Sequence, residues 1–161
     1  MTSNLKRFGL KHLSHSNLDL ARNDLGLWVM RYLYKVYDPA NAAMARGNAA
    51  EHGCYVALTG GEFDDPVDAA VKDFNKRTAL GGNGEARERK NIPGFIEQFI
   101  EAIGEDKPEV VDYQRRIEVE IDGIDIPCMG FTDFGFEDAI VDLKTTNRMP
   151  SAISASHRRQ G

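Results

Sequence analysis

The spacing of apolar residues changes near Glu109, and that change sets what this chain can fold into. Up to Ile103 the apolar positions recur at helical intervals, and from Glu109 onward they alternate. Ile117, Val119 and Ile121 alternate with Glu118, Glu120 and Asp122, and Asp122-Gly123 is a dipeptide that a tight hairpin turn prefers. Ile124 to Phe134 reads as the return strand, a second turn falls around Glu137-Asp138, and Ala139 to Thr146 reads as a third strand. Helices followed by a run of strands predict an α+β fold, with a small three-strand antiparallel meander flanked by helices.

In the helical part, Leu13 to Tyr37 carries Leu18, Leu25, Trp28, Val29, Tyr32 and Leu33 at roughly helical intervals, with Ser14, Ser16 or Asn17 available as a cap. The polar Arg22-Asn23-Asp24 and Gly26 predict a break. Asp38-Pro39 interrupts the pattern, and Ala-rich, helix-favouring sequence resumes it from Ala42 to Leu58, ending at Gly60-Gly61. Asp65-Pro66 restarts a helix with a capping carboxylate and a proline at the first helical position, with Val67, Ala70, Val71 and Phe74 on one face. Gly81-Gly82-Asn83-Gly84 is a loop. After a charged stretch, Ile92 to Ile103 is the clearest amphipathic helix, with Pro93 near its start and Gly104 just past its end. Pro150-Ser151 opens a further helix. Trp28, Tyr32 and Phe74 read as core rather than as a base-stacking platform.

Length and composition predict one soluble domain over 1–161. The 161 residues are 42% hydrophobic and 28% charged, and no apolar run approaches the roughly 20 residues of a membrane span. The opening MTSNLKRFGL lacks a secretory signal pattern. Cys54 and Cys128 are too few for a disulfide framework or a four-thiolate cluster, so the expected compartment is the reducing cytoplasm. A formal charge of -5 argues against a general affinity for phosphate backbones, yet carboxylates gathered to hold a divalent cation would contribute to that same balance.

Such a gathering is visible near the end of the chain. Asp142 and Lys144 are two apart in the predicted third strand and share one face, while Val141, Leu143 and Thr145 point to the other. The second strand carries Gly130-Phe131-Thr132-Asp133, which brings Asp133 within reach of Asp142 across the ladder. Neighbouring carboxylates repel each other unless something positive sits between them, and a hard divalent cation with oxygen ligands meets that need.

These residues carry a resemblance. Cys128-Met129-Gly130-Phe131-Thr132-Asp133, followed nine positions on by Asp142-Leu143-Lys144-Thr145-Thr146, resembles the Gly-x-x-Asp…Asp-x-Lys core of the PD-(D/E)XK nuclease superfamily, in its RecB-type exonuclease branch. Arg46-Gly47-Asn48-Ala49-Ala50-Glu51 is similar to that branch's N-terminal helix motif, in which a Gly precedes a His or Glu ligand by four residues. Leu13-Ser14-His15-Ser16-Asn17-Leu18, with Trp28 and Tyr32, is similar to its opening Ser-x-Ser-x-Leu helix. Ser156-His157-Arg158-Arg159-Gln160 resembles the start of its Gln-x-x-x-Tyr motif.

The resemblance implies a restriction-endonuclease-like core with a small mixed sheet, in which 59–107 is a variable helical insertion and 109–161 holds the catalytic strands and the start of the following helix. It also implies a C-terminally truncated core, or one completed by a second copy or a partner chain, because the motif's Tyr would fall beyond Gly161. By the same resemblance Glu51, Asp133 and Asp142 are metal ligands, joined by the Leu143 carbonyl, and the ion is Mg²⁺ or Mn²⁺. His52 is the alternative to Glu51, although the four-residue step from Gly47 selects Glu51. Relatives with an iron-sulfur cluster use four Cys, so that cofactor is not expected here. Lys144 would orient or deprotonate the attacking water, and Gln160 and Arg159 would face the substrate. The expected function is metal-dependent hydrolysis of DNA phosphodiesters, exonucleolytic on linear ends, in recombination, repair or a phage-type replication system. The alternative is a truncated, non-catalytic nuclease-like module that binds nucleic acid or a protein partner.

Overall fold

Capping side chains set most of the helix boundaries. Ser14 Oγ accepts the Asn17 N–H at 3.3 Å and starts α1 (His15–Asn23). The Asp24 carboxylate accepts the Leu27 N–H at 2.9 Å, so the chain breaks where Arg22-Asn23-Asp24 predicts and restarts as α2 (Leu25–Trp28), which widens into a single π turn at Val29–Leu33. Asn41 opens α3 (Ala42–Thr59) by accepting the Ala43 N–H, and Gly60, at φ 76°, closes it. Asp65 accepts the Val67 and Asp68 amides and starts α4 (Pro66–Thr78) with Pro66 in the first turn. α5 (Glu85–Ile103) begins well before Ile92, where the apolar spacing starts. Glu85 and Glu88 complement the dipole of its first turn, and Ala, Arg, Glu and Lys are good helix formers, so the helix runs through the charged stretch and Pro93 becomes internal.

The structure, a computed structural model, describes residues 4–37, 41–60, 65–79, 85–104 and 106–146. Over these it is a mixed α+β arrangement of five α-helices and a three-strand antiparallel sheet. The strands are β1 (Asp112–Val119), β2 (Cys128–Gly135) and β3 (Ile140–Val141), in the order β1-β2-β3, with Phe134 opposite Val141 and Gly135 opposite Ile140. Asp122-Gly123 does turn, with Gly123 at φ 81° and the Ile124 N–H on the Ile121 carbonyl at 3.0 Å, but the β1–β2 ladder does not reach it. Tertiary contacts draw this connection away: Ile126 is buried, and the Asp125 carboxylate accepts the Leu5 and Lys6 amides at 2.9 and 3.0 Å. β3 is shorter than the Ala139–Thr146 strand predicted, so Asp142 and Lys144 lie just beyond the ladder. The predicted Gly81–Gly84 loop and the helix opening at Pro150 fall outside the described residues. Among the described residues no helix is long and apolar enough to cross a membrane.

The chain divides into two units, and β1 and β2 contribute residues to both. One unit includes the described residues 4–37 and 116–131 and is built on Leu10, Leu13 and Ile126, with Trp28 and Tyr32 packed alongside at 5.8 Å between ring centroids. Leu13 bridges to the start of β2, its N–H on the Pro127 carbonyl at 2.8 Å and its carbonyl accepting the Met129 N–H at 2.7 Å. The other unit includes described residues between 41 and 115 and 132–146, and its core joins Ala49, Cys54, Ala70, Phe74, Ile92, Ile96 and Phe134. Gly53 lets α4 and α5 pack tightly on α3, since a Cβ there would stand 2.5 Å from Ile96 Cδ1 and 2.8 Å from the Pro66 carbonyl oxygen. Leu143 and Tyr113 pack on this second core, which anchors the segments that carry the site.

Candidate functional site

Glu51, Asp133, Asp142 and Lys144 all belong to the second unit, Glu51 on α3, Asp133 in β2, and Asp142 and Lys144 just after β3. The register that sets Phe134 opposite Val141 makes Asp133 and Asp142 the next positions along the two strands. There the ladder gives way to a side-chain link: Asp133 Oδ2 accepts the Leu143 N–H at 2.7 Å. Alternation of burial nonetheless continues, with Leu143 and Thr145 turned inward and Asp142 and Lys144 exposed, so the predicted sharing of a face by Asp142 and Lys144 holds without the strand. Lys144 Nζ donates to Asp142 Oδ1 at 2.5 Å, and both side chains are about half exposed.

Asp133 is the electrostatic centre of this group. Burial holds its carboxyl above the usual carboxylate range, and the negative charges of Glu51 and Asp142 push the same way, while the Leu143 N–H and the Lys144 ammonium oppose them. Glu51 is fixed from β1: its Oε1 accepts Gln114 Nε2 at 2.9 Å, and the Tyr113 phenol is hydrogen-bonded to the same carboxylate. Burial, followed by the charge of Glu51, raises the Tyr113 phenol above its ordinary range. The same two causes push the Cys54 thiol, one helical turn from Glu51, up to about 12. Gln114 sits at φ 49°, a left-handed conformation that costs a non-glycine residue roughly 1 kcal/mol, and this is the residue whose amide reaches Glu51.

Arg46 supports the segment after β3. It is 5% exposed, pairs with Glu88 of α5, lies 5.1 Å above the Phe95 ring, and donates to the Thr145 carbonyl at 3.4 Å. Beside it, Gly47 faces the same segment: a Cβ there would stand 3.4 Å from Thr145 Oγ1, an ordinary van der Waals contact.

The structure thus joins Asp133 to Leu143 and Asp142 to Lys144 by direct hydrogen bonds, with Glu51 in the same electrostatic field. It does not assemble a ready ligand cluster: among the described residues no three or more His, Cys, Asp or Glu side chains are placed to hold a metal ion. His52, the alternative to Glu51, has a buried Nδ1 with no hydrogen-bond partner among the described residues. Gln160 and Arg159 lie outside the described residues. Sequence reasoning missed Tyr113 and Gln114, which belong to no motif, and gave Arg46 no role. The signal for Arg46 was present, because it shares the buried, small-residue face of α3 with Ala42, Ala45, Ala49 and Gly53. Comparison with known proteins gives no match: no family model, no curated protein and no solved structure matches the chain.

Proposed function

We propose that this chain is a metal-dependent nuclease with a PD-(D/E)XK, restriction-endonuclease-like core that hydrolyses DNA phosphodiester bonds, most readily at linear ends. The observation that carries the reading is Asp133: a half-buried carboxylate tied to the Leu143 amide, in the field of the Asp142 carboxylate and Lys144 ammonium from the next segment and of the Glu51 carboxylate from a distant part of the sequence. Excess negative charge of this kind is what a hard cation relieves, and the donor set of Glu51, Asp133, Asp142 and the Leu143 carbonyl is all oxygen, as Mg²⁺ or Mn²⁺ requires. On this reading these residues would hold the ion, with Lys144 giving up its contact to Asp142. When bound, it would supply an activated water and stabilisation of negative charge on the phosphoryl group.

The chain's own residues do the rest. Asp133 holds the peptide at Leu143, and with it the flanking Asp142 and Lys144, in a fixed orientation. Lys144, once freed from Asp142, presents its ammonium to a phosphate oxygen or to the attacking water. Gln114 and Tyr113 keep the Glu51 carboxylate from swinging into solvent. Both cysteines are free, which suits a cytoplasmic enzyme.

The test is degradation of end-labelled linear DNA with Mg²⁺ or Mn²⁺. The expected result is cleavage abolished by EDTA and lost in Lys144→Ala and Asp142→Ala, both folded like the parent. Undiminished turnover in both variants contradicts the proposal, and DNA binding with no metal-dependent cleavage favours the non-catalytic module instead.

A further inference from the structure

β1 is an edge strand: in the order β1-β2-β3 its outer edge has no strand partner among the described residues, and Gln114 to Val119 are exposed along it. One face carries Ile117 and Val119, 42% and 55% exposed, with Arg115 beside them, and the other carries Arg116 and Glu118, which pair with each other and are 59% and 43% exposed. An open edge with an apolar face is a template for a further strand. The order of charges says which strand fits.

About Ile117 the charges are antisymmetric, with Arg on one side and Glu on the other. An antiparallel copy centred on Ile117 sets Arg116 opposite Glu118 of the partner subunit, and Glu118 opposite Arg116 of the partner subunit. Ile117 then meets its own copy on the apolar face. The competing alignments are disfavoured: an in-register parallel copy, or an antiparallel one centred on Arg116 or Glu118, puts like charges directly opposite. We propose that β1 is a homodimerisation edge, on which two copies of this chain pair antiparallel about a two-fold axis at Ile117 and continue their sheets into one. A second copy fits better than an unrelated peptide because its charges and its apolar face complement the edge together.

The experiment is sedimentation velocity of the full chain at concentrations up to the order of 0.1 mM, the range suited to a small interface. The parent is expected to show a reversible dimer that weakens with added salt. Arg116→Glu and Glu118→Arg, each alone, should lower association by about tenfold or more, because each sets like charges opposite. An equal mixture of the two variants should associate at least as well as the parent, since an all-acidic edge then meets an all-basic one. The mixture separates pairing between chains from the Arg116–Glu118 pair within one chain, and circular dichroism confirms that each variant folds. A monomeric parent throughout the range, single variants that dimerise like the parent, or a mixture that stays monomeric each overturn the proposal.

Discussion

The Asp133 carboxylate accepts the Leu143 backbone N–H at 2.7 Å, and this bond ties β2 to the segment that carries Asp142 and Lys144 where the sheet ladder has already ended. It separates two roles for Asp133. Because burial and two acidic neighbours hold its carboxyl above the ordinary value of 3.8, its contribution to stability is present below that pH and is lost as pH rises through the raised value. Once ionised, the carboxylate is a net cost to the fold. Asp133→Asn keeps an oxygen acceptor for Leu143, so its Tm should equal or exceed that of the parent while DNA cleavage disappears. Asp133→Ala loses the bond and should be destabilised by about 1 kcal/mol in urea titrations. A clear loss of stability in Asp133→Asn contradicts this account.

Asp142 and Lys144 are expected to matter for chemistry and hardly at all for folding. Their ion pair is about half exposed, and such pairs contribute little. Lys144→Ala and Asp142→Ala should each stay within about 0.5 kcal/mol of the parent in stability and lose at least about a hundredfold in cleavage rate. Metal binding tells the two apart: Asp142→Ala weakens it, whereas Lys144→Ala leaves it intact or tightens it, because the competing ammonium is gone.

Arg46 has the opposite profile. Its guanidinium and Glu88 form a buried pair, so removing one partner leaves the other uncompensated. Arg46→Met should cost about 3–5 kcal/mol in chemical denaturation, and Arg46→Met with Glu88→Leu should recover much of that loss. A single variant within 1 kcal/mol of the parent would show that the pair is well hydrated.

Alkaline pH probes the packing around Glu51. The Cys54 thiol is pushed from 9.0 up to about 12 by burial and then by Glu51, and the Tyr113 phenol is raised for the same reasons. Each group gives stability that is complete below its unfolded value and fades as pH climbs through the folded one. Denaturation midpoints should therefore fall from about pH 9 upward, by roughly 1.4 kcal/mol per pH unit for each group at most, and Cys54→Ala should flatten part of that slope. In the native state a thiol reagent should label the more accessible Cys128 and spare Cys54.

The helices were legible because their boundaries are local: Ser14, Asp65, Gly60 and Gly104 act within one turn of themselves. Residues 85–91 were missed because apolar spacing is silent in a charged stretch, where propensity decides. The sheet was legible as three strands in order, but not in extent, since Asp125 and Ile126 answer to partners far away in sequence. The association of Asp133 with Asp142 and Lys144 followed from a short connection and a period of two. Gln114 and its neighbour Tyr113 reach Glu51 from another element, Gln114 across 63 positions and from a left-handed backbone, and neither feature leaves a pattern in the sequence; Arg46 is marked only by the small-residue face of α3 that it shares.

The most direct test of the central claim is a Mn²⁺ titration followed by the electron paramagnetic resonance signal of the free ion. If Glu51, Asp133 and Asp142 serve one cation, the parent protein binds Mn²⁺ saturably, and Asp133→Asn and Asp142→Asn lose that binding while remaining folded. A parent protein without saturable binding, or both variants binding as it does, contradicts the account.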